Sequence, residues 1–483
     1  MSISGALSTA LSGLTAASRA AEVVASNVAN ARTEGYGRRE LQLSARGTGQ
    51  GVQVDGVRRM VDLVLVTDRR LAQSGSADRE VQAAFLTELE AALGTPETSG
   101  ALGARIASLE EALLAASGRP DAEARLSAVL GAVTSVAQKI GSAANMLQQS
   151  RLQADRTIST TVEDLNTTLA GIAEMNGRIQ SLSAGGRDTS SLIDQRQQLI
   201  DRIATAVPLR EVARGNGTVA LYNTGGAVLL DGPPATFGFS PVGTIVPDMT
   251  LGSGALSGLT LNGRAIATSG EASPITGGRL AGLFAIRDEL APAAQAKLDA
   301  VARDLVERFA DPAVDPTLAP GAPGLLTDAG APFLAANEVG LAQRLRVNAA
   351  VDPAQGGALW RLRDGIGAAA PGPPGDATLI RALSSALGAQ RQPVSGGFMA
   401  GTRSFAALSG DLISSVSQAR VQRAGEASFA AAQMTALREL ELQDGVDTDQ
   451  ELQSMLAIEQ SYAANAKVMQ AVDDMIKALL GIG

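Results

Sequence analysis

Near its C-terminal end the chain carries a ladder without a slip. Met455, Ile458, Tyr462, Asn465, Met469, Val472, Ile476 and Leu479 follow one another at alternating spacings of three and four. That is the seam of a coiled-coil helix, whose apolar stripe has to be covered by another helix. Seven of the eight positions are apolar; Asn465 is the polar one, a residue type that fixes register at some cost in stability. The other end has a matching pattern. Leu7, Leu11, Leu14, Ser18, Ala21, Ala25 and Val28 are spaced four and three apart, and the small residues of the second half let a partner helix come close. A single seam helix is marginal in water, because nucleation is costly and its stripe is exposed. The two ends are therefore expected to pair with each other and then with identical neighbours, leaving the middle displayed outward.

Between the ends the pattern divides the chain. Residues 47–70 show glycines and an alternating Val52 and Val54, a β excursion before helix resumes. From about 78 to 206 the chain reads as helix. One seam is Leu102, Ile106, Leu109 and Leu113. A second runs Leu126, Val129, Val133, Val136, Ile140, Ala143 and Leu147, and a third from Ile158 to Leu182. The texture changes at Pro208. "GTVALYNTGGAVLLDG" alternates around a glycine-rich turn, and Asn262-Gly263 between apolar runs is a strong hairpin signal. The expected fold class is mainly α with a β insertion. Its parts are a terminal coiled-coil domain (1–46 with 446–483), a helical-bundle core (47–207 with 279–310 and 398–445) and a small β domain (208–278). A Pro/Gly/Ala-rich outer segment, 311–397, has no assigned fold.

Composition narrows the chemistry. Hydrophobic residues make up 45% and aromatics 3%, so the cores are built from Leu, Ala, Val and Ile. There is no cysteine and no histidine among the 483 residues, which removes disulfides, thiolate nucleophiles and the commonest general base and zinc ligand. No catalytic residue, metal site or cofactor is expected. The formal net charge of −9, with lysine only at 139, 297, 467 and 477, disfavours nucleic acid. The N-terminal stretch lacks a basic region followed by a continuous apolar core, and no run of about 18 apolar residues occurs, so neither a cleaved signal peptide nor a membrane span is expected.

The first seam ends in "SNVANARTEGYGRRE", residues 26–40. Ser26, Asn27, Val28, Ala29, Asn30, Thr33, Gly35 and Tyr36 together resemble the N-terminal motif of the bacterial flagellar rod, hook and hook-associated protein family. Val446, Asp447, Glu451, Gln460, Tyr462, Ala464, Asn465, Ala466, Met475 and Leu479 are similar to that family's C-terminal motif. The long helical block followed by "GTVALYNTGGAVLLDG" resembles its hook-associated, junction-forming members rather than its rod or hook proteins. The resemblance covers roughly 1–310 and 400–483; one departure is Ala31-Arg32, where the family more often has an asparagine. It implies a structural protein of the hook–filament junction, exported to the extracellular flagellum without a cleaved signal. The partners it implies are further copies of itself in a ring, the hook protein, a second junction protein (hook-associated protein 3) and an export chaperone on the C-terminal helix. Nucleic acid and membrane are not among them. Another rod or hook component, or a soluble coiled-coil adaptor, is the alternative. The interface residues, between subunits or between the terminal helices, are Leu7, Leu11, Leu14, Asn27, Val28, Asn30, Gly35 and Tyr36. Met455, Ile458, Tyr462, Asn465, Met469, Val472, Ile476 and Leu479 complete the set.

Other features have plainer readings. Thr448 and Glu451 fit a capping box rather than a calcium loop. Asp194 and Arg196 read as a solvent-facing or structural ion pair rather than a catalytic one. Arg38-Arg39 and Arg58-Arg59 are expected to meet acidic neighbours, in the same or an adjacent subunit. Tyr36 is expected to contact another subunit, "GTGQG" at 47–51 to be a turn, and Trp360 to be a packing anchor.

Overall fold

The computed structural model describes residues 3–33, 35–47, 51–95, 97–270 and 273–481. Thr48, Gly49 and Gln50 of the expected turn lie outside the described residues. Helix α1 (Ile3–Asn30) leads into an antiparallel hairpin, β1 (Arg38–Ala45) and β2 (Val52–Met60). The sequence reading has no strand at 38–45. In β2 the extra residue Asp55 is bulged where Gln42 and Leu43 face Gly56 and Val54.

Helix α2 (Leu63–Leu93) starts on Asp62, whose carboxylate accepts from the N–H groups of Val64 and Leu65. Helices α3 (Leu102–Gly118), α4 (Glu123–Ala184) and α5 (Ser190–Ala206) follow. The second and third sequence seams are one helix of 62 residues. The seam continues between them through Arg151 and Ala154, both buried, so the apparent break is a polar stretch of one stripe.

Three strands, β3 (Leu209–Ala213), β4 (Val219–Asn223) and β5 (Val228–Leu230), form one antiparallel sheet. Another is made by β6 (Phe237–Gly238), β7 (Leu259–Leu261) and β8 (Arg264–Ile266). The β7–β8 turn is Asn262-Gly263, with φ of 51° and 76°, the left-handed pair that a two-residue hairpin requires.

Helix α6 (Arg279–Ala285) passes through a π turn (Ile286–Leu290) into α7 (Ala291–Phe309). The segment 311–397 holds β9 (Leu326–Asp328), α8 (Leu341–Arg344), β10 (Leu345–Val347), α9 (Arg361–Asp364) and α10 (Thr378–Gly388). Its buried Leu325, Leu345, Ile380 and Leu383 belong to the same continuous core as Leu109, Leu169 and Leu305. Trp360 is half-buried beneath the Arg361 guanidinium, 4.8 Å from its ring centre.

Helix α11 (Phe405–Gln443) returns antiparallel along α2: Arg420 pairs with Glu90 (2.6 Å) near one end and Glu441 with Arg69 (2.5 Å) near the other. Its buried residues, Phe405, Leu408, Ser409, Leu412 and Val416, all lie in its first half. Beyond Val416 the helix runs off the core, and α12 (Thr448–Leu480) packs on α1.

Candidate functional site

The termini meet the helical core at an elbow formed by the end of α1, the residues leading into β1, the first turn of α12 and the middle of α5. Asn27 lies at its centre and is fully buried. Its Nδ2 donates to the Arg39 carbonyl (2.8 Å) and to Glu451 Oε2 (3.0 Å). Its Oδ1 accepts from the Arg39 N–H (3.0 Å) and from the Tyr36 hydroxyl (2.8 Å). All four hydrogen bonds of the amide are made, and only one orientation allows it, because the Arg39 N–H can only donate and the carboxylate only accept. In effect Asn27 pairs with the backbone of Arg39 as a neighbouring strand would.

Two carboxylates flank this centre. Glu451, 2% exposed, takes Arg38 Nε on Oε1 at 2.8 Å. Asp194 takes Arg59 Nε (2.8 Å) and the Gly37 N–H (3.2 Å) on Oδ1, and Arg39 Nη2 (2.7 Å) on Oδ2. Charge-assisted bonds in so dry a place are strong, and their partial burial makes each partner costly to remove. Arg39 also lies over the Tyr36 ring, 4.8 Å from its centre. Gly35, at φ 77°, makes a turn that residues with a side chain resist, and a Cβ on Gly37 would collide with Arg59. Asn30 ends α1, its Nδ2 donating to the Ser26 carbonyl (2.9 Å) and its Oδ1 accepting from the Thr33 hydroxyl (3.2 Å). A cleft of about 830 Å³ opens beside the elbow, lined by Tyr36, Arg59, Asp201, Met434, Leu442 and Val446 among others.

Below the elbow α1 and α12 run antiparallel in constant register. Asn27 meets Glu451, and Gly13 faces Asn465, where a Cβ would stand 2.7 Å from Oδ1. Between Gly13 and Asn27 on one helix, and Glu451 and Asn465 on the other, the step is two heptads. The inward face of α12 contains most of the ladder: Met455, Ile458, Asn465, Met469 and Ile476 are half-buried and Val472 is buried. Tyr462 and Leu479 are exposed.

On α1 the predicted seam points elsewhere. The buried face holds Ala10, Ala16, Ala17, Val24 and Asn27, while Leu7, Leu11, Ser18, Ala25 and Val28 are exposed and Leu14 and Ala21 half-buried. The pair closes on small side chains, because these let the backbones approach and the leucines would hold them apart. Two further expectations are corrected. Glu451 is not part of a capping box: Asp447 caps α12, accepting from the N–H groups of Asp449 and Gln450, and Glu451 is free for the elbow. Asp194 does not pair with Arg196, which instead donates to Asn176 Oδ1 (2.8 Å) and the Gly217 carbonyl (2.7 Å). The Tyr36 hydroxyl is used inside the chain, on Asn27 and within 3.3 Å of Ser26 Oγ. The acidic partners of Arg38, Arg39 and Arg59 are likewise in the same chain. Reading from sequence missed Glu451 and Asp194 as site residues, since a charge near a helix start or within an amphipathic helix has a commoner local explanation.

Both arms of the elbow match known sequence families. Residues 7–36 match the model of the flagella basal body rod protein, and 443–482 that of the C-terminal part of the flagellar basal body rod FlgEFG proteins. Residues 86–312, the helical block and the β insertion, match the helical domain of flagellar hook-associated protein FlgK. The chain belongs to the flagellar rod, hook and hook-associated protein family. Among relatives in that family it is similar to flagellar hook-associated protein 1 of Bacillus subtilis, at 29% identity over 242 residues, 47% of each chain. It is also similar to the protein of that name from Salmonella typhimurium, at 26% over 245 residues, 48% of this chain and 44% of that one. The matched stretch spans about half the length of these family members. A solved structure, the flagellar hook junction protein FlgK from Burkholderia pseudomallei, aligns over 54% of this chain and 46% of its own, with 17% identity and a TM-score of 0.44.

Proposed function

We propose that this chain is a structural, non-catalytic component of the bacterial flagellum that joins hook to filament. The observation that carries this reading is the apolar surface left on the paired terminal helices. Leu7, Leu11 and Val28 on α1, and Leu452, Leu456, Tyr462 and Leu479 on α12, are exposed in a single chain. Helices that have already paired and still expose so many large side chains have surface for further copies of themselves. Identical chains cover these stripes and close into a ring on the distal end of the hook. The hook protein lies below the ring and hook-associated protein 3 above it. The helical core and the β insertion face outward. Before assembly the chain passes through the flagellar type III export route, with a chaperone on α12. The names of the relatives and the family matches at both ends support this placement.

Deletion of residues 446–483 tests it. Cells carrying the truncated chain are expected to build hooks without attached filaments and to shed filament protein into the medium. Attached filaments of normal length on such cells would sink the reading.

A further inference from the structure

Glu451 and Asp194 lie on different helices and share no partner atom, yet one dipeptide reads both. Arg38 and Arg39 are consecutive in β1, and consecutive strand residues point to opposite faces. Arg38 accordingly reaches Glu451 on α12, and Arg39 reaches Asp194 on α5. Asn27 closes the circuit from behind. One of its Nδ2 hydrogens goes to Glu451 and the other to the Arg39 carbonyl, while its Oδ1 holds the Arg39 N–H. Any shift of Glu451 therefore pulls on both ends of the Arg38–Arg39 unit, through a guanidinium and through the amide. Asn27 has no slack to absorb it, being fully buried with every hydrogen bond made.

We propose that Glu451 is a positioning residue for the whole elbow. Docking of the first turn of α12 on α1 sets Arg39 for its ion pair with Asp194. Pairing of the two termini and their attachment to the core are then one cooperative event rather than two. A chain whose C-terminal helix is undocked, or held elsewhere, has a loose elbow, and its terminal helix has no fixed direction relative to the core. This coupling belongs to the single chain and holds whether or not the chain assembles.

The signature is an energetic coupling between two residues out of contact. Amide hydrogen exchange on the full-length monomeric protein reads it. The Gly37 N–H, which donates to Asp194, reports the core side; the Glu451 N–H, bonded to the Asp447 carbonyl, reports the α12 side. Glu451→Ala is expected to speed exchange at Gly37 and Arg39, and Asp194→Ala to speed exchange at residues 451–455. Each effect should be roughly tenfold or more, the factor expected from losing a charge-assisted hydrogen bond. The double variant should show less than the product of the two. If Glu451→Ala loosens only α12 and α1 and leaves Gly37 and Arg39 at the wild-type rate, the two carboxylates act separately and the proposal fails. Should Glu451→Ala also loosen α4, Glu451→Gln decides by the same criterion, since it keeps the shape and, on its one carbonyl oxygen, the Asn27 bond, while the amide NH2 then turned to Arg38 cannot accept from the guanidinium.

Discussion

Asn27 owes its importance to four hydrogen bonds made at once, and removing any partner leaves a buried polar group short. Tyr36→Phe removes only the hydroxyl that donates to Asn27 Oδ1. It is expected to lower monomer stability by about 1 kcal/mol, measured by denaturant unfolding. Unchanged stability would show that the Tyr36 hydroxyl does not brace the single chain. Gly13 makes a second residue-scale case. A Cβ there would press on the Asn465 side chain, whose amide is 2.7–2.9 Å away. Gly13→Ala gains helix propensity, about 1 kcal/mol, but is expected to loosen the α1–α12 pair by displacing Asn465. Adding Asn465→Ala should restore the pair, read by protease protection of residues 448–480. A loss that Asn465→Ala does not reverse would mean that the register is fixed elsewhere.

Helix α2 buries Arg70, Ser74, Asp78 and Gln82, four polar residues one turn apart, where an amphipathic helix ordinarily carries apolar ones. Arg70 is matched by Asp201 (2.6 Å) and Glu211 (2.7 Å). Asp78 is less well served. Burial pushes its carboxyl above the ordinary value, against the hydrogen bond from Gln82 and the nearby Arg79 and Arg423, with Glu426 adding to the rise. Its folded pKa exceeds its unfolded one, so folding takes up a proton between the two. Its contribution to stability is greatest below the unfolded value, about 3.9, and is lost as pH rises to the folded value. At neutral pH the buried carboxylate is then a net cost. Asp78→Asn is expected to raise stability at pH 7 by about 1 kcal/mol and to flatten this part of the pH profile. Lower stability of the variant at pH 7, seen in thermal melts, would show that Asp78 is better paired than this.

At the scale of the molecule the core and the paired termini are held by different means. The core is one continuous cluster running through α3, α4, α7 and α10, to which the β sheets and the 311–397 segment add their apolar residues. Helix α12 by contrast buries only Glu451 and Val472. Surface on the terminal helices is therefore separable from monomer stability. Leu11, 55% exposed, can be changed to Asp with little effect on the melting of the single chain. If the stripe is the assembly surface, Leu11→Asp should still prevent ring formation, followed by sedimentation or electron microscopy. Rings formed as readily as by the parent chain would exclude this face.

The sequence determined the periodicities and, through them, most of the fold. Heptad spacing is a local property, and it identified the terminal helices and the long helical block, as the turn dipeptide Asn262-Gly263 identified its hairpin. The terminal motifs named Asn27, Asn30, Gly35 and Tyr36 in the same way. What each periodic face meets is a different matter, because spacing defines a stripe and not its partner. Only the tertiary structure put the small residues of α1 against α12 and left Leu7 and Leu11 outside, since close approach of two backbones selects Ala and Gly over Leu. Only it brought Glu451 and Asp194 to the Arg38-Arg39 strand. A long-range ion pair leaves no period in the sequence, and each of those carboxylates had a sufficient local explanation on its own helix.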